Sequence, residues 1–151
     1  VTGGGIPLDA YKLDHACGAV ETAVIDQKDK DIVIVEGQGS ILHPGSSATL
    51  PLMRGTCPTH MILCHIARNN SLRSLENIKI PDLKKFIDLN EQLASVIGTY
   101  PNAKVLGVAL NTIEMDNNEA LEMIKKVEEN TGLPATDVIR YGGDKIFDEL
   151  L

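Results

Sequence analysis

The chain has 151 residues, 43% of them hydrophobic, and a formal net charge of −7, which suffices for one domain with a sizeable core. Aromatic residues make up only 3%, with no Trp; together with the acidic balance this argues against a nucleic-acid partner or an anionic membrane surface. No apolar run approaches the roughly 18 residues of a membrane span, and Cys17, Cys57 and Cys64, with no C-x-x-C pair among them, read as core-packing reduced thiols of a cytoplasmic protein rather than structural zinc ligands.

After a glycine run and Pro7, residues 8–25 read as a helix, with Ala16, Ala19, Val20, Ala23 and Val24 at helical spacing. The polar run 26–30 interrupts the pattern. Residues 32–35, Ile-Val-Ile-Val, then read as a fully buried strand ending at Glu36. A Gly/Ser/Pro loop covers residues 37–47, and residues 48–54 read as a short helix closed by Gly55. Residues 61–66 read as a second strand, 67–81 as polar and irregular, and 82–97 as a helix entered after Pro81 and ended by Gly98. Residues 104–110 form the third expected strand, and 118–129 an amphipathic helix closed by Gly132 and Pro134. Residues 138–141 are expected to be a short fourth strand and 144–151 a closing helix.

Strands alternating with helices predict an α/β fold: one domain with a mostly parallel sheet and helices on both faces. Four strands are few for such a sheet, which typically has about five or six. The first residue is Val rather than Met. The chain therefore reads as an N-terminally truncated piece of a longer protein, with one or two strands outside it.

In an open α/β sheet, ligands sit outside the carboxyl ends of the strands. Glu36 ends the first expected strand, and Gly37-Gln38-Gly39 follow it where a ligand could approach the backbone closely. A carboxylate there is either a solvated strand end or a group that holds Mg²⁺ or accepts a proton. His43, flanked by turn-forming residues, is either a general base near the strand ends or part of a polar loop; Ser40 could bind an anionic oxygen or simply close that loop. His65 ends the second strand, with Arg68 three residues on, a candidate clamp for a carboxylate or phosphate. Asn111 and Thr112 end the third strand, and an amide has the donor and acceptor that a purine edge requires. Arg140 stands more weakly at the fourth.

The run from Val35 through Glu36-Gly37-Gln38-Gly39-Ser40 to His43-Pro44 resembles the DgcN family, formerly a domain of unknown function. So do Leu63-Cys64-His65, Ala109-Leu110-Asn111-Thr112, the stretch from Thr131 to Asp137 with Arg140 and Gly142, and the opening Gly5-Ile6-Pro7-Leu8-Asp9-Ala10 with Asp14. The resemblance spans essentially the whole chain. It implies the C-terminal, P-loop-NTPase-like part of a two-domain protein, similar to dethiobiotin synthetase and preceded by a Rossmann-like domain. It further implies N-acetylation of a D-amino acid such as D-glutamate, with Glu36 supporting Mg²⁺ and Asn111 reading adenine. Implied cofactors are Mg²⁺ with ATP, or acetyl-CoA; a small-molecule substrate and a homo-oligomer complete the expected partners. Alternatives are an ATP- and Mg²⁺-dependent ligase, or a non-catalytic nucleotide-binding or assembly domain. No G-x-x-x-x-G-K-[ST] loop occurs in the 151 residues. On this reading the fragment alone is inactive and a sheet edge awaits a partner.

Overall fold

The structure is a computed structural model describing residues 3–37, 39–72 and 74–150. They fall into two compact units, residues 1–58 and 59–151.

In the first unit a 3-10 turn, Leu8–Ala10, precedes α1 (Leu13–Ile25), and α2 spans Thr49–Thr56. Ala16 and Val20 of α1 are buried. Gly55 of α2 lies so close to the Cys17 carbonyl and the Val20 side chain that a Cβ there would overlap both. The small residue lets the two helices meet. Between them, residues 32–37 have no regular secondary structure, and Ile34 is 89% exposed. The expected buried strand at 32–35 is thus corrected. Its β-branched composition favours an extended chain, but a strand requires a hydrogen-bonded neighbour, and among the described residues no strand pairs with it.

In the second unit β1 (His60–Ile66), β4 (Lys104–Asn111) and β5 (Ala135–Thr136) form a parallel sheet in the order β1-β4-β5. A hairpin of β2 (Ser71–Leu72) and β3 (Leu75–Lys79) occupies part of the stretch read as irregular. Helix α3 is Leu83–Ser95 and α4 is Asn117–Thr131. Val138–Tyr141, expected as a strand, is the short helix α5, and α6 (Asp144–Phe147) runs into a 3-10 turn, Asp148–Leu150. At α5 the β-propensity of Val-Ile-Arg-Tyr yields to a helix cap, because the Asp137 carboxylate accepts from the Ile139 and Arg140 amides.

The core lies on one face of the sheet, where Val108, Leu110 and Ala135 meet Ile87 of α3 and Ala120, Ile124 and Val127 of α4. Leu106 is an extra residue in β4, since Met61 pairs with Val105 but Ile62 with Gly107. The bulge shifts the period-two alternation, so Val105 joins the same cluster as Val108 and Leu110. Gly107 is needed for packing: a Cβ there would press on the Pro134 carbonyl and on Ile146 of α6. Helix α4 starts in a capping box, in which Asp116 accepts from the Glu119 amide and Glu119 from the Asp116 amide. Of the thiols read as core packing, Cys57 and Cys64 are exposed and Cys17 is half-buried.

No helix among the described residues is long and apolar enough to cross a membrane.

Candidate functional site

The expected site residues divide between the units. Glu36, Gly37, Gly39, Ser40 and His43 belong to the first; His65, Arg68, Asn111 and Thr112 belong to the second. Gln38 lies outside the described residues.

In the first unit Glu36 is exposed. Gly39 takes φ of 80° and faces Ser46 so closely that any Cβ would overlap its hydroxyl, so both the backbone angle and the space demand glycine. Ser46 in turn shares a hydrogen bond with Thr49 at the start of α2. The Ser40 hydroxyl accepts from the Leu42 amide, closing a turn. His43 Nδ1 accepts from the Gly45 amide at 3.1 Å. A neutral ring with Nδ1 so occupied carries its proton on Nε2 and presents a donor rather than a lone pair. In this arrangement His43 is suited to donating a hydrogen bond, and the general-base role expected of it would require breaking the turn.

In the second unit the parallel strands bring Ile66, Asn111 and Thr136 to one edge. His65 pairs in register with Leu110 and is half-buried on the core-facing side of β1. Burial pulls its pKa below the ordinary value. Cys64 is on the opposite, exposed side, so the two adjacent residues form no working pair.

The turn after β4 is held from beneath by a polar network. Asp137 accepts from both the amide and the hydroxyl of Thr112. Burial alone would raise the Asp137 pKa, but the bonds from Thr112, then Arg140 and Ile139, outweigh it and hold the carboxyl below its usual range. Arg140 donates to the carbonyls of Thr112 and Met115 and to Asn117 Oδ1. The Met115 amide closes back on the Thr112 carbonyl. Thr112, 1% exposed, therefore commits its side chain to the network.

Around this turn lies a shallow surface recess lined by Ile66, Arg68, Asn111 and residues 112–115. Arg68 pairs with Glu119 of α4 at 2.7 Å, and both are about half exposed. Asn111 Oδ1 accepts from the Ile113 amide, which leaves one oxygen lone pair and the two Nδ2 hydrogens for other partners. Glu114, also lining the recess, was not singled out from the sequence. Asp137 was noticed only within the family resemblance, although its place just before a helix marks it as a cap. Among the described residues no group of three or more His, Cys, Asp or Glu side chains gathers to hold a metal.

A family model described as "Domain of unknown function (DUF1611_C) P-loop domain" matches residues 1–147. The chain belongs to this DUF1611 family. The chain is 34% identical, over 151 residues, to a D-glutamate N-acetyltransferase of Tritonibacter scottomollicae and 29% identical to one of a Pseudoalteromonas species. Each match covers 99% of this chain and 45% of the relative. The chain thus spans less than half the length of these curated relatives. The crystal structure of a DUF1611 family protein from Anabaena variabilis superposes with a TM-score of 0.94 at 45% identity, covering 98% of this chain and 43% of that one. The P-loop-like α/β fold expected from the sequence is therefore the fold of this chain.

Proposed function

We propose that this chain is the P-loop-fold part of an N-acetyltransferase that acylates the amino group of a small acidic D-amino acid such as D-glutamate, with acetyl-CoA as donor. The observation that carries the reading is the match over 99% of the chain to two proteins named D-glutamate N-acetyltransferase. An N-terminal Rossmann-like domain would supply the rest of the enzyme.

The chemistry is a displacement at a thioester. The amine nitrogen bonds to the acetyl carbon, the carbon–sulfur bond breaks, the thiolate leaves, and the amine loses a proton. An amino acid is an ammonium at neutral pH, so attack requires a base. We assign that role to Glu36, an exposed carboxylate flanked by glycine. His43, with Nε2–H as its free group, suits hydrogen bonding to the oxygen that gains charge in the tetrahedral intermediate.

The test uses the full-length protein, acetyl-CoA and D-glutamate without ATP, following free thiol and N-acetyl-D-glutamate by mass spectrometry. Thiol release that depends on the amino acid is expected. Glu36→Gln should lower kcat by about 100-fold or more with an unchanged melting temperature; full turnover by that variant would remove Glu36 from the mechanism.

The family's P-loop description favours a second reading, an ATP-dependent ligase of the dethiobiotin-synthetase type. There Glu36 would hold Mg²⁺, with phosphate oxygens completing the shell, as that ion commonly requires. Product formation that consumes ATP and ignores acetyl-CoA would select it. Nucleotide binding without any turnover would select a non-catalytic binding or assembly domain.

A further inference from the structure

Between Glu36 and Arg54 the chain carries one ionisable side chain, His43. It stands at the joint of two successive turns. Its amide donates to the Ser40 carbonyl, and its own carbonyl accepts from the Ser46 amide, each at 2.9 Å. The Ser40 hydroxyl braces the first turn through the Leu42 amide, and Ser46 shares a hydrogen bond with Thr49 at the start of α2. The run from Ser40 to α2 is thus a series of short turns linked through one histidine.

The ring adds a bond of its own. Pro44 has no N–H, so the Gly45 amide is the donor inside the second turn, and His43 Nδ1 accepts from it at 3.1 Å. An Asn or Asp oxygen commonly makes the same bond, to the amide two residues on. Imidazole differs in that its acceptor takes up a proton close to neutral pH. Gly45 lets the ring approach: a Cβ there would stand 3.3 Å from both Nδ1 and Cε1. Its φ lies outside the left-handed region, so space rather than backbone angle favours glycine.

Protonation removes the acceptor. Both nitrogens of an imidazolium donate, so Nδ1–H would face the Gly45 N–H, donor against donor. His43 is exposed, and its ring can turn into water without losing burial. The loop packs on α2, through Gly37 against Leu52 and Gly39 against Thr49. The charged groups that flank it are Glu36 before the loop and Arg54, the one charged residue of α2. Among the described residues no ion pair includes His43.

We propose that His43-Pro44-Gly45 is a pH-released latch on the loop entering α2: neutral His43 holds the turn shut through Nδ1, and the imidazolium lets it open. The inference is independent of the acetyl-transfer reading, since it concerns the loop with no substrate bound.

The experiment is nuclear magnetic resonance of the full-length protein, isotopically labelled at histidine and glycine nitrogen, between pH 8 and pH 5. At pH 8 His43 should carry its proton on Nε2, and the Gly45 amide should be protected from exchange. By pH 5 that protection, corrected for the intrinsic pH dependence of exchange, should fall about two- to fivefold, the low end for a hydrogen bond open to water. The fall should track the titration of the His43 ring signals. His43→Asn supplies an oxygen that accepts the same bond and does not titrate, so its Gly45 protection should stay constant over the range. His43→Ala, with no acceptor, should show the low value at every pH. A neutral ring protonated on Nδ1, protection unchanged from pH 8 to pH 5, the same fall in His43→Asn, or full protection in His43→Ala would each overturn the proposal. Nothing turns over in this assay, so a failed acetyl-transfer reaction and a failed latch are separate results.

Discussion

Asp137 carries more hydrogen bonds than any other side chain around the strand-end turn. It accepts from Thr112 twice and caps α5 through Ile139 and Arg140. At 4% exposure its charge is tolerable only because those donors replace water. Thr112→Val removes one charge-assisted bond while keeping shape, and should cost about 1.5–3 kcal/mol in urea denaturation. Asp137→Ala, which strands the Thr112 amide and hydroxyl together, should cost more than Thr112→Val. A Thr112→Val protein as stable as the wild type would mean that the network is decorative. A contrasting residue is Thr56 of α2, whose hydroxyl is buried and has no partner among the described residues. It yields none of the benefit that Thr112 draws from the same group.

At the level of elements, the end of α3 carries backbone strain. Val96 and Ile97 both take left-handed angles, φ of 48° and 54°, before Gly98 at 92°. Left-handed geometry is unfavourable for β-branched residues by roughly 1–2 kcal/mol each. Ile97 is 87% exposed, so its side chain gains little burial in return. Ile97→Asn should therefore raise stability by about 0.5–1 kcal/mol, measured as a shift in the denaturation midpoint at constant slope; a loss of stability would show that the angle is not strained. Local signals made much of this architecture legible. The apolar run at 104–110, the amphipathic pattern at 118–129 and the Gly132…Pro134 stop marked β4 and α4 to within two residues, because each acts within one element, whereas the Asp116–Glu119 capping box that starts α4 was not read from the sequence. What failed depended on neighbours. Residues 32–35 have strand composition but no strand beside them, and residues 138–141 were claimed by the Asp137 cap. The β2–β3 hairpin was too short and too polar to stand out from its loop. The same division holds at the candidate site. Asn111 was visible because strand ends are visible, whereas Glu114 emerges only once the Thr112–Met115 turn is folded.

On the scale of the whole molecule, the charges whose pKa values shift resolve into one behaviour, and among the described residues all of them lie in the second unit. His65 is held below its ordinary 6.5 by burial. Asp82 is held below 3.8 by the Asn130 amide and then the Lys85 backbone. Glu128 is lowered from 4.5 despite its burial, through Lys145 and the Ala135 amide, and Asp137 from 3.8 through Thr112. For the histidine, the unfolded chain binds the proton first as pH falls through about 6.5, so stability is full above that value and declines towards the folded pKa. For the carboxylates, stability is full above their unfolded values and is lost as pH drops through the lower folded ones. Both kinds of group therefore destabilise on the acid side, in two separated windows. The net charge of −7 acts the other way, because protonation relieves self-repulsion, but near-physiological salt screens that long-range contribution over about 8 Å. Denaturation midpoints measured from pH 8 to 3 at that salt should fall in two steps, one beginning near 6.5 and one below about 4.5. His65→Gln should abolish the first step and leave the second. A midpoint that is flat between pH 7 and 5 in the wild type would show that His65 is not desolvated on the core-facing side of β1.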